Sequence, residues 1–232
     1  MTNPWQGVPG APGISRAKYQ IPGTTPYSAL IDLGDDRFLI HSPGPGLEST
    51  LPESVSPSSK ILLLAPCIGH TLGMVPWLTG HPESDSYAPE AIHAKIIENG
   101  FQGELQSIEK LAEQLPEFVS VHVPPPNKFQ EIWLSVRQGD TTYWIVGDAF
   151  LNFESVEGNF IKKFLLGLYG IKPGLRLHKL FRFGLQDKDE FRKWAEPLFA
   201  KQGKQVLLPC HREIYDAADC GERLSRIVRE VA

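Results

Sequence analysis

Three stretches of this 232-residue chain end in residues that can bind a metal or carry a proton. Leu62–Ala65 leads into Cys67 and His70, Trp144–Val146 into Asp148, and Val206–Leu208 into Cys210 and His211. Each stretch is short and apolar, as a strand buried in a layered fold would be. In such folds ligand and catalytic groups gather at the carboxyl ends of strands, where a rigid scaffold carries converging loops. Two imidazoles and one carboxylate suit a divalent ion, zinc before others, with one coordination position left for a substrate or water. Cys67 offers a thiolate to the same set. The plain reading of these residues is structural: His70 capping a helix, Asp148 capping a loop and His211 ending a strand.

The elements that must position these groups can be read along the chain. Tyr27–Asp32 and Arg37–His41 flank Gly34-Asp35-Asp36 and predict a hairpin. Ile61–Ala65, bounded by polar residues and Pro66, predicts a strand buried on both faces. Phe118–Val123, Glu131–Val136, Thr141–Val146 and Gln205–Leu208 complete the strands, with Ser86–Pro89 as a short strand or loop. Helical spacing is found at His70–Leu78, Ala91–Asn99, Gln106–Gln114, Asn159–Tyr169, Lys188–Ala200 and Cys220–Val231. Asp187, with Glu190 three residues on, predicts the N-cap of the fifth of these. Of 41 glycines and prolines, 16 fall in the first 60 residues and 11 in the last 92, so the front is rich in turns and the back more helical. Residues 1–26 are expected to be an irregular arm, and 27–232 a single domain.

Composition limits the function. Apolar residues are 41% and charged residues 22%, an ordinary globular balance. No apolar run approaches the roughly 20 residues of a membrane helix, so no membrane partner is expected. Met1–Gly13 lacks a basic stretch followed by an apolar one, and no secretory leader is expected there. A net charge of −4 does not favour nucleic acid, which wants a basic surface. Three cysteines do not make a disulfide framework, and a reducing cytoplasm is expected. A small molecule is the expected partner, and a homo-oligomer is compatible with the exposed aromatic residues.

The order and spacing of these features resemble the metallo-β-lactamase superfamily. The resemblance rests on His70-Thr71-Leu72-Gly73 after a strand, Gly147-Asp148 after another, and Pro209-Cys210-His211 at the end of a third. Within the superfamily, a bacterial family with a reduced metal motif is the nearest match. The residues concerned are Phe38-Leu39-Ile40-His41-Ser42-Pro43, Ala65-Pro66, Trp77, Pro82, Tyr87-Ala88-Pro89 and Val146 through Phe153. The resemblance covers roughly residues 28–215. It implies an α+β fold, a four-layer αββα sandwich of two mixed β-sheets flanked by helices, with the metal at one sheet edge. It also implies hydrolysis by metal-activated water.

The resemblance has gaps. Aligning the superfamily's His-x-His-x-Asp-His on His70 leaves Gly69, Cys67 and Ala65 where an Asp and two His would stand. No His lies at Pro124–Asn127, and only His122 is close. What remains is His70, Asp148 and His211, with Cys67 as an added donor. His70 and Asp148 are then the residues expected to carry catalysis. His41 stands where relatives carry Asp, behind the site. Asn152, Arg182 and Arg212 are expected around the pocket. Lys172–Arg182 is locally basic and reads either as a solvated loop or as a carboxylate- or phosphate-binding rim. His81, His93 and His178 read as surface residues. The expected function is hydrolysis of a small molecule with one divalent ion. The competing expectation is a member with no metal that binds a small molecule or partner without turnover. Thiol chemistry at Cys67 is a weaker third reading, since no Cys-x-x-Cys pair is present.

Overall fold

The computed structural model describes residues 3–153 and 173–231. The chain divides into two compact units, Met1–Val121 and His122–Ala232. The helix expected at Asn159–Tyr169, and Lys172 of the basic stretch, lie outside the described residues. Among the described residues no helix is long and apolar enough to cross a membrane.

The first unit is built on a seven-stranded sheet whose spatial order follows the sequence. Its strands are β1 (Gln6–Gly7), β2 (Ile14–Lys18), β3 (Tyr27–Gly34), β4 (Arg37–His41), β5 (Lys60–Leu64), β6 (Asp85–Tyr87) and β7 (Leu105–Gln106). β1 through β4 pair antiparallel, and β4 through β7 pair parallel, so the sheet is mixed. The predicted β3–β4 hairpin forms with Asp35 and Asp36 at φ 52° and 55°, the left-handed geometry of a tight turn whose twist suits paired strands. The all-apolar run becomes β5, flanked by β4 and β6, and every residue from Ile61 to Leu64 is buried. Helices α1 (Met74–Gly80) and α2 (Glu90–Glu98) make the crossovers β5–β6 and β6–β7, and α3 (Ile108–Gln114) follows. Leu30, Ile40, Leu63, Trp77, Ile92 and Ile96 share one core. α1 starts at Met74 rather than at His70, so His70 sits in a loop.

The amino-terminal segment corrects an expectation. Residues 3–26, the described part of the expected arm, are not irregular throughout. β2 pairs with β3 from Ile14↔Ile31 to Lys18↔Tyr27, and Trp5, Ile14, Ala17 and Tyr19 are buried. The Pro/Gly spacing around Ile14–Lys18 hid a strand that pairs with the next strand along the chain, β3. Arg16 contributes through its guanidinium, 3.8 Å above the Tyr27 ring.

The chain passes between the units within β8 (Val119–His122). In the second unit β9 (Trp133–Gln138) and β10 (Thr141–Val146) form the predicted hairpin, and β13 (Lys204–Pro209) joins β10 in parallel. β11 (Phe150–Phe153) and β12 (Gly174–Leu177) form a two-stranded ribbon. Helices α4 (Lys179–Gly184), α5 (Lys188–Phe199) and α6 (Cys220–Arg229) cover them. The N-cap at Asp187 is as predicted: its Oδ1 accepts from Glu190 N at 2.9 Å. Trp133 anchors the core, with the rings of Trp194, Phe150, Phe191 and Phe199 at 5.0–6.0 Å. The chain is therefore α+β with two mixed sheets and several helices, as the sequence led one to expect.

Candidate functional site

In the first unit the ends of β4 and β5 carry His41, Ser42, Cys67 and His70. Ser42 N donates to Leu64 O at 2.9 Å, carrying the β4–β5 ladder one residue past β4. Ser42 then turns into the left-handed region at φ 58°. The Ser28 hydroxyl donates to its carbonyl at 2.6 Å, helping to hold that turn. Ser42 Oγ lies 2.6 Å from His70 Nδ1, Tyr19 OH lies 2.9 Å from the same nitrogen, and the two hydroxyls are 2.9 Å apart. Two neutral hydroxyls thus fix the His70 ring, which is only 3% exposed. His70 N also donates to Cys67 O at 3.1 Å, closing the turn that joins the two donors.

The glycine of His-x-x-Gly has a packing role. A Cβ at Gly73 would stand 1.8 Å from the Pro43 carbonyl oxygen, so only glycine lets the His70 loop lie on the Pro43–Gly44 backbone. His41 is fully buried at the end of β4. Burial, with His70 nearby as a smaller cause, pushes its pKa down to about 3, so it is neutral at pH 7.

In the second unit Asp148 follows β10 and is held by a residue that the sequence did not single out. Glu131 is 1% exposed. Its Oε1 accepts from Gly147 N at 2.9 Å and Trp133 Nε1 at 2.8 Å, and its Oε2 accepts from Asp148 N at 2.9 Å. Burial, reinforced by the neighbouring Asp148, raises the Glu131 carboxyl to about 8 against the pull of these three hydrogen bonds.

Asp148 Oδ1 lies 2.9 Å from His211 Nε2. The pairing of β10 with β13 explains the match. The ladder ends at Val146↔Pro209, Cys210 N donates to Val146 O at 2.8 Å, and both acid and imidazole stand two residues past the last pair. His178 corrects an expectation. It is half-buried rather than on the surface, with its N donating to Ala149 O at 2.7 Å and its Nδ1 3.2 Å from Asp148 O. Burial lowers its pKa, against a smaller opposing pull from Asp148.

The remaining residues sort by unit. Asn152, in β11, is buried. Its Nδ2 donates to Glu213 O and Ile214 O, each at 3.2 Å, tying down the loop that follows His211. Arg212 has φ 78° and holds its guanidinium 4.7 Å above the Phe153 ring. Arg182 is half-buried on α4, so the stretch read as basic loop is in part a strand, β12, and a helix. His81 Nε2 bonds to Glu48 O at 2.8 Å and His93 Nε2 to Ala88 O at 3.0 Å, both contacts to backbone carbonyls. His122 Nε2 bonds to Ser135 Oγ at 2.8 Å, and burial pushes its pKa down to about 4. All three cysteines are buried thiols, and burial raises Cys220 to about 12.

Sequence reasoning missed Tyr19, Ser42, His178 and Glu131. For Glu131 a signal existed. The β9–β10 register pairs Leu134 with Ile145, and continuing it three residues sets Glu131 opposite Asp148. A predicted hairpin with acids at matched depths was the clue.

The element order and the three loaded strand tips can be compared with solved structures. The fold is that of metallo-β-lactamases. TMB-1 is similar over 97% of this chain and 96% of its own, with a TM-score of 0.61 at 15% identity. The DIM-1 metallo-β-lactamase matches 98% of this chain and 97% of its own, with a TM-score of 0.59 at 11% identity. A metallo-β-lactamase from Hirschia baltica gives 97% and 98%, a TM-score of 0.57 and 13% identity. No family model matches the chain, and no curated protein matches it in sequence. At these identities the likeness is one of fold.

Proposed function

We propose that this protein is a metal-dependent hydrolase of a small molecule, using one divalent ion, zinc by preference. His70, Asp148 and His211 would hold the ion, with Cys67 as a further donor. The observation that carries the reading is the Asp148–His211 contact of 2.9 Å at the ends of two strands that finish in step. The donor chemistry suits the ion: imidazole, carboxylate and thiol are all zinc ligands. A bound ion would supply Lewis acidity toward an ester, amide or phosphodiester. The chain's own residues do the positioning. Tyr19 and Ser42 hold His70 Nδ1, which orients the ring and leaves Nε2 for the ligand role. Glu131 holds the backbone on both sides of the Gly147–Asp148 peptide, which aims the Asp148 carboxylate. Gly69, standing where the superfamily resemblance places an Asp, favours one ion over two.

The test is the metal content of the full chain after purification. About one equivalent of zinc is expected, falling below a tenth in His70→Ala and His211→Ala. Chelator should lower the melting temperature of the wild type and leave both variants unmoved. Protein that carries no metal and melts identically with and without chelator would overturn the proposal. It would leave the alternative, a fold member that binds without turnover.

A further inference from the structure

A second cluster of charge lies within the second unit, apart from any residue assigned above to the metal. A cavity of about 380 Å³ is lined by Arg176 and Leu177 of β12, Arg182 of α4, and Arg223, Arg226 and Ile227 of α6. Leu175 and Val231 add apolar wall, and the carboxylate in the lining is Glu230. Four arginines around one cavity are notable in a chain whose net charge is −4.

Two of the four are held in place and left uncompensated. Arg176 Nη2 donates to Pro173 O at 2.6 Å, which fixes the direction of its guanidinium. Arg223 reaches from α6 to the start of β12, where a Cβ added at Gly174 would lie 3.5 Å from its Nη2. The Nε of Arg176 and the Nε of Arg223 are both buried and have no hydrogen-bond partner among the described residues. Burial and the like charge of Arg223 lower the pKa of Arg176. By contrast Arg226 is paired with Glu222 at 2.6 Å, and Arg229, outside the cavity, faces Glu196 at 3.5 Å. A fold that brings two guanidinium groups together, with buried donors unmet, carries a cost that a dianion between them would offset. Planar guanidinium forks match phosphate oxygens in pairs. The apolar side of the lining suits an organic group rather than the bare ion.

We propose that this cavity binds a small phosphate monoester, its phosphate held by Arg176 and Arg223 and its organic part against Leu175, Leu177 and Ile227. The volume admits a ligand of metabolite size. The site does not depend on the metal reading, because none of its lining residues is a proposed metal ligand.

The test is calorimetric titration of the full chain with phenyl phosphate, with chelator present so that no metal contributes. Saturable binding is expected, about tenfold tighter than for inorganic phosphate. Arg176→Gln and Arg223→Gln should each weaken it about tenfold or more, the loss of a charge-assisted fork. Arg229→Gln, on the same helix but outside the cavity, should stay within twofold. Circular dichroism melting checks that each variant folds. If both Gln variants unfold, Arg176→Lys decides, since it keeps the charge and loses the fork, and several-fold weakening is expected. No saturable binding at millimolar probe, equal affinity for inorganic phosphate, or unchanged affinity in folded R176Q, R223Q or R176K would each overturn the proposal. So would equal weakening in R229Q.

Discussion

The two units support their candidate ligands with different chemistry. In the first, two uncharged hydroxyls, Tyr19 and Ser42, fix one ring nitrogen of His70, with the neutral His41 ring buried nearby. In the second, a buried acid, Glu131, holds the backbone that carries Asp148, and the carboxylate itself meets His211. Either hydroxyl can be lost while the other still meets the ring nitrogen. A buried acid that satisfies three donors cannot, because its removal strands all three. The second unit should therefore be the more fragile around its ligand.

The largest effect tests that contrast directly. Glu131→Ala should cost about 4 kcal/mol of stability, since it leaves two buried N–H groups and one part-buried one without an acceptor and opens a cavity. Denaturant unfolding measures it. Glu131→Gln should recover about half, because one oxygen remains. A loss under about 1 kcal/mol for E131A would erase the distinction between the units.

Acid sharpens the comparison next. His122 has a folded pKa of about 4, against the ordinary histidine value of 6.5 that it regains on unfolding. The unfolded chain therefore binds the proton more readily between those values. Stability should fall as pH drops from about 6.5 to 4, by about 3 kcal/mol from this residue. Above this window His122 is neutral in both states and contributes no slope. His122→Phe, which keeps a ring against Trp144 at a site where the rings are 5.0 Å apart, should flatten the curve without abolishing it, because His41 is lowered as well. An unchanged slope in H122F would remove this contribution from the second unit.

The smallest effect belongs to the first unit. Ser42→Ala or Tyr19→Phe should each cost about 1 kcal/mol, since the other hydroxyl still meets His70 Nδ1. The double variant should cost more than the two singles together, because then the nitrogen loses both partners. Additive losses in this double-mutant cycle would mean that the hydroxyls act separately.

The parts of this architecture legible in the sequence share a cause. β4 was read as Arg37–His41 and β10 as Thr141–Val146, and both are observed with those bounds. The cap at Asp187 is local as well. These features are encoded within a few residues, by apolar runs, turn residues and capping side chains. The misses are features completed outside the local pattern. β2 is specified by its partner β3 more than by its own pattern. Tyr19 meets His70 across 51 positions of sequence, and nothing near either residue signals the other. Glu131 reads locally as a polar residue ahead of an apolar strand. His178 reads as part of a basic loop until β12 and α4 carry it beside Asp148. The candidate ligands themselves were legible because strand ends are local, whereas the groups that hold them were not.

The parallel ladder of β10 and β13 has a further consequence for how this protein tolerates change. Its six pairs, Thr141↔Lys204 through Val146↔Pro209, work as a counting rail. Asp148 and His211 meet because each is two steps past the same rung. Insertions elsewhere between the two strands leave the count untouched, since pairing resets it at Thr141↔Lys204. One residue inserted between Val146 and Asp148, or between Pro209 and His211, shifts one partner by about 3.3 Å and turns its side chain to the other face. The spacing of this acid and imidazole is thus fixed by arithmetic along two backbones, and length variation should be tolerated outside the paired strands but neither within them nor at those two steps.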